Sequence, residues 1–128
     1  MLLLMAGCRK GPTEGYEPKG RARILVGDDS PADVGARIFK VSARQGLRAD
    51  QGPFTRSGRP VFNARLKVGQ DSFFQIDNFL NQDTFVLNAY SHEPTVTWRT
   101  KWQRLIEALK EEFGHERVQV LSDPIEGG

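Results

Sequence analysis

The chain has one cysteine and two histidines in 128 residues. A lone Cys8 excludes an intrachain disulfide. His92 and His115 stand 23 residues apart, so no histidine pair falls at helical spacing and a zinc site of that kind is excluded. Beyond the N-terminus there is no apolar run of about eighteen residues, the length a spanning helix needs. Neither common Gly-rich phosphate loop is present, and Gly127-Gly128 reads as a tail. Ser57, in Thr55-Arg56-Ser57-Gly58-Arg59, lacks the strand–turn–helix setting of a nucleophile elbow. Ser91-His92-Glu93 reads as a solvated loop before a helix. These absences leave no catalytic constellation. The expectation is a protein that is not an enzyme and that works without metal or cofactor.

What is present is the composition of one globular domain. Apolar residues make up 38% and charged residues 27%, a balance that buries a core and does not leave the chain unfolded. Eight Phe and two Trp supply bulky core material. The net charge of +2 hides a split: residues 1–67 carry 13 Lys/Arg against 6 Asp/Glu, or +7, and residues 68–128 carry 5 against 10, or −5. Such asymmetry steers a partner or reflects solvated helix faces. Glu107, Glu111, Glu112 and Glu116 belong to the second kind, beside Arg104 and Lys110.

Leu4-Met5-Ala6-Gly7-Cys8 resembles the lipobox of bacterial lipoproteins. Ala6 and Gly7 present no bulk to a peptidase that binds extended backbone, and the Cys8 thiol supplies sulfur for a thioether. The resemblance implies a diacylglyceryl group on Cys8, cleavage before it and acylation of the new amino group; several acyl chains give stable anchoring. Arg9, where an aspartate would favour inner-membrane retention, implies the periplasmic face of the outer membrane. The leader departs from the family: only seven residues precede Cys8 and none is charged, whereas a signal peptide needs a positive start and about 7–15 apolar residues. A start codon placed too far downstream, or a shortened chain, is the expected cause. Arg9 to Gly20 is polar and broken by Gly and Pro, the composition of a tether. The division is therefore residues 1–7 as leader remnant, 8–20 as lipidated cysteine and tether, 21–123 as one α+β domain and 124–128 as tail.

Arg23-Ile24-Leu25-Val26-Gly27-Asp28-Asp29-Ser30-Pro31 resembles the start of a response-regulator receiver domain. That chemistry also needs a phospho-acceptor aspartate after a third parallel strand. The segment about 25 residues on, Gln51 to Pro60, has no apolar run, and the downstream order does not alternate strand and helix. Local physics suffices instead. Ser30 is an N-cap, Pro31 suits the first helical position, and Asp28, Asp29 and Asp33 complement the positive end of the helix dipole.

After a strand ending at Val26, Val34, Ile38 and Val41 predict a helix from Pro31 to about Gln45, stopped by Gly46. Residues 50–60 read as loop. Phe62, Ala64, Leu66 and Val68 alternate with Asn63, Arg65 and Lys67, a strand with one face buried. Ser72 to Phe79 and Thr84 to Ser91 read as two further strands of an antiparallel meander, with Phe74, Ile76, Phe85, Leu87 and Ala89 inward. Trp98, Trp102, Leu105, Ile106, Leu109 and Phe113 form a wide helical stripe, capped by Thr95 or Thr97 and ended by Gly114. Arg117 to Leu121 closes as a short strand. The predicted fold is α+β, with two helices on one face of a mostly antiparallel sheet, order β-α-β-β-β-α-β, a ferredoxin-like variant with one added strand.

The other sheet face then carries Asn63, Arg65, Lys67, Phe73, Gln75, Asp77, Asn88 and Tyr90. An open sheet with Phe73, Tyr90 and Arg65 is similar to an RNA-recognition sheet, but the aromatic-basic signature is missing, so nucleic acid is not expected. The expected activity is binding of a protein partner in the cell envelope. Two jobs fit: an immunity or inhibitor protein against an envelope-targeting enzyme, or an accessory subunit of an envelope assembly. An enzyme built on loops is the competing class. Arg56, Arg59, Arg65, Phe73, Tyr90 and His92 are the candidate partner-binding residues.

Overall fold

Alternating strands and striped helices each have one apolar side, and a layered fold buries both sides together. The computed structural model describes residues 18–49, 53–56, 59–78, 83–93 and 97–122, with backbone alone for 53–56 and 59–61. Cys8 and the leader, Thr95 and residues 124–128 lie outside the described residues. The elements are β1 Gly20–Leu25, α1 Pro31–Arg44, β2 Pro53–Arg56, β3 Arg59–Lys67, β4 Ser72–Asp77, β5 Thr84–Ser91, α2 Thr97–Phe113 and β6 Val118–Ser122.

The strands lie in the order β2-β3-β4-β5-β1-β6, and each neighbouring pair is antiparallel. β1 sits between β5 and β6, so those two run parallel on either side of it, joined through α2. The set β4-β5-β1-β6 with its two helices is the ferredoxin-like arrangement; β3 is the expected added strand, and β2 is a second one. The predicted α+β class and the order β-α-β-β-β-α-β hold for the elements named in advance.

One expectation is corrected. Residues 50–60 are not all loop, because Pro53–Arg56 forms β2, a hairpin partner of β3. Its register pairs Pro53 with Phe62 and Arg56 with Arg59. Pro53 and Pro60 disguise the strand, yet β2 is an edge strand, where a missing backbone donor is tolerated.

The helix ends follow their residues. Ser30 Oγ accepts the Asp33 N–H at 3.1 Å, and Gly46 and Gly114 take φ of 81° and 97° just past the two helices. Val34, Ile38 and Val41 of α1 and Trp98, Trp102, Leu105, Ile106, Leu109 and Phe113 of α2 share one core with the inward residues of the sheet. Trp102 meets Phe74 edge-on, with centroids 5.2 Å apart. Both helices therefore cover one face, and no described helix covers the other. At the far edge, Ala22 pairs with Val120 and Arg21 with Ser122, so Leu121 is an extra residue in β6. This bulge leaves Leu121 48% exposed and blunts the edge against further pairing.

Candidate functional site

The outward residues fall into rows across the sheet. Lys67, Phe73 and Tyr90 make one row, Arg65, Gln75, Asn88 and Arg21 the next, and Asn63, Asp77, Val86, Arg23 and Gln119 the third. Period-two alternation in each strand puts all of them on the face opposite the helices. Among the described strand residues, Arg21, Arg23, Arg65 and Lys67 stand there against one carboxylate, Asp77. The charge split along the chain thus appears in space as a cationic sheet face.

Arg65, Phe73 and Tyr90 come together as a stack. The Arg65 guanidinium lies 4.5 Å from the Phe73 ring centroid. Phe73 stacks on Tyr90 with centroids 5.2 Å apart and planes 28° from parallel. Each ring is only 8% exposed. The aromatic pair therefore acts as a platform beneath the Arg65 guanidinium, while the arginines and amides offer the polar surface. In the same row, Arg65 Nε and Asn88 Oδ1 are shut off from water without a hydrogen-bond partner. Each orphaned group of this kind costs about 1–3 kcal/mol. Gln75 Nε2 donates to Asn63 Oδ1 alongside. Arg23 Nε donates to Gln119 Oε1 at 2.6 Å.

The remaining candidates lie apart from the stack. Arg56 and Arg59 are register partners in the β2–β3 pairing. Arg59 is six residues along β3 from Arg65, about 20 Å at strand rise. His92 is exposed just beyond β5; its N–H donates to the Asp71 carbonyl at 3.1 Å, and its Nδ1 lies 4.0 Å from Asp71 Oδ2. Next to it, Glu93 Oε2 accepts Ser72 Oγ at 2.5 Å and the Asp71 N–H at 2.9 Å. The Ser72 bond, then the Asp71 bond, holds the Glu93 carboxyl below its ordinary range. Ser72 and Ser91 share a hydrogen bond of 2.7 Å and are each 2% exposed, so neither hydroxyl faces a substrate. This group clasps the turn between β3 and β4 to the end of β5.

Arg21 and Arg23 were not among the sequence candidates. Their signal is the alternation Arg21-Ala22-Arg23-Ile24, in which Ala22 and Ile24 are fully buried. The Asp28-Asp29 pair has a structural use. Asp29 Oδ2 accepts from Arg37 at 3.1 Å and from Arg117 at 3.0 Å. Arg117 also donates to the Leu25 and Val26 carbonyls at 3.0 and 2.6 Å. Arg37 donates to Glu112 Oε2 at 2.8 Å and to the Glu112 carbonyl at 3.0 Å. Both guanidiniums lie against the Phe113 ring, Arg37 at 4.5 Å and Arg117 at 5.2 Å from its centroid. This network ties the β1–α1 loop to α1, α2 and β6. Among the described residues no group of three or more His, Cys, Asp or Glu is placed to hold a metal ion. No described helix is long and apolar enough to cross a membrane.

No protein-family model and no curated protein matches this chain.

Proposed function

We propose that this chain is a small lipoprotein, anchored through Cys8 at the periplasmic face of the outer membrane, that acts by binding a protein partner and not by catalysis. The observation that carries the binding role is the sheet face free of described helices, where Arg21, Arg23, Arg65 and Lys67 outnumber Asp77 around the Arg65–Phe73–Tyr90 stack. Arginine held on an aromatic platform is a common anchor of protein interfaces. The motif Leu4-Met5-Ala6-Gly7-Cys8 carries the location. Of the two jobs, inhibition of an envelope-targeting enzyme suits the chain better than service in an assembly. An inhibitor needs one rigid recognition face, whereas an assembly subunit needs two or more.

The location is tested by labelling cells that express the natural gene with a clickable fatty acid. Wild type should label and fractionate with the outer membrane, and Cys8→Ser should do neither. Equal labelling of Cys8→Ser overturns the anchor.

A further inference from the structure

We infer that the row Arg65–Gln75–Asn88–Arg21 is the seat of an acidic, extended peptide segment of the partner, with carboxylates four residues apart. This rests on the protein-binding reading above and gives the partner its chemistry.

Three observations lead there. The row is closed by an arginine at each end, Arg65 on β3 and Arg21 on β1, with the amides of Gln75 and Asn88 between them. The four residues sit on four adjacent strands. At about 4.8 Å between strands, the two arginine Cα atoms stand about 14 Å apart. An extended chain rises about 3.3 Å per residue and shows every second side chain to one side. Residues i and i+4 then share a side at about 13 Å, which matches the arginine spacing. Two carboxylates at those places meet two guanidinium forks, the pairing that fixes a planar anion best.

The protein-binding reading makes the occupant a polypeptide. Arg65 Nε and Asn88 Oδ1 are shut off from water, so neither meets it directly, and the outer guanidinium nitrogens of Arg65 and Arg21 make the contacts. The surrounding charge favours an acidic segment, since Arg23 and Lys67 flank the row on its two sides.

The test is a chemical-shift titration of the isotope-labelled full chain at low salt. The probe is the blocked pentapeptide Glu-Thr-Val-Thr-Glu. Its diamide analogue, Gln-Thr-Val-Thr-Gln, and vesicles of phosphatidylcholine with phosphatidylglycerol are run alongside. Saturable shifts should appear at the Arg21 and Arg65 Nε–H groups and the Asn88 side chain. The diamide peptide should bind at least tenfold more weakly. Arg21→Gln with Arg65→Gln should weaken the acidic peptide at least tenfold at unchanged thermal stability. Should the double variant unfold, Arg21→Gln alone carries the test, because that side chain is exposed and its loss leaves the core intact. The inference is overturned by shifts confined to α1 and α2, by equal affinity for the two peptides, or by no saturable shift. Vesicles that shift this row while the peptide does not would assign it to a lipid surface instead. None of these outcomes alters fatty-acid labelling at Cys8 or capture of a protein through another face, so failure here is distinct from failure of the parent reading.

Discussion

Replacing Gly35 by alanine sets two ordinary effects against each other. Gly35 lies inside α1, where alanine is favoured over glycine by about 1 kcal/mol. Yet a Cβ on Gly35 would sit 2.5 Å from two ring atoms of Phe62 and 2.7 Å from a third. That distance is far inside van der Waals contact, and the Phe62 ring has little room to yield. Phe39 packs against it with centroids 5.7 Å apart and Phe85 at 5.4 Å, and Phe85 is fully buried. Overpacking of such a core costs about 1–3 kcal/mol. The steric term wins, and Gly35→Ala should destabilise by about 1 kcal/mol net, a melting shift of about 4–8 °C for a domain of this size. Urea unfolding followed by tryptophan fluorescence measures it. Two controls separate the terms. Ala36→Gly, at an exposed position of the same helix, should lose about 1 kcal/mol from propensity alone. Phe62→Leu should be partly rescued when combined with Gly35→Ala, since the new methyl fills space the ring vacates. A Gly35→Ala protein more stable than wild type would refute the α1–β3 packing described above.

Trp98 and Trp102 are 4% and 1% exposed, and truncating either to Ala should cost about 3–5 kcal/mol by chemical denaturation. Trp102→Phe should cost less than Trp102→Ala, because the buried Trp102 Nε1 has no hydrogen-bond partner to lose. Acid should weaken the fold through Glu112, whose carboxyl is held below its ordinary range by the hydrogen bond from Arg37. A lowered folded pKa adds stability that is present above the unfolded value of about 4.3 and lost as pH falls through the folded one. Glu112→Gln should therefore flatten the acid limb of a stability–pH curve, and an unchanged limb would exclude the pair as a contributor. Asp28→Asn should leave stability nearly unchanged, whereas Asp29→Asn should cost up to about 1 kcal/mol by loosening Arg37 and Arg117. Acetyl phosphate with Mg²⁺ should leave no acid-labile phosphate on either aspartate, as mass spectrometry would show.

Much of the fold was legible because its signals are local. Phe62, Ala64, Leu66 and Val68 alternate cleanly, the Trp98–Phe113 stripe repeats at helical spacing, and each set is buried as its period requires. What escaped depends on pairing across distance. β2 is recognisable only beside β3, since it is four residues long and opens on Pro53. The tight seat of Gly35 exists only because Phe62 is brought against it. Arg37 finds Glu112 and Arg117 finds Asp29 across 75 and 88 residues, beyond the reach of any periodicity.

The candidate site divides the same way. Arg65, Phe73 and Tyr90 were placed on one face by alternation, and their meeting follows from the β3–β4–β5 register. Arg21 and Arg23 joined that face only when β1 took its place beside β5. Tertiary placement also decides that Phe73 and Tyr90 serve as a buried platform and not as exposed anchors.

The measurement closest to the central claim is capture of a partner from envelope membranes by the lipid-anchored wild-type protein and by an Arg21→Glu, Arg65→Glu variant of matched thermal stability. Wild type should retain one protein in stoichiometric amount, and the variant should lose it, because two like charges now meet the acidic segment. A partner held equally well by both proteins, or no stoichiometric partner for either, would contradict recognition through the sheet face opposite the helices.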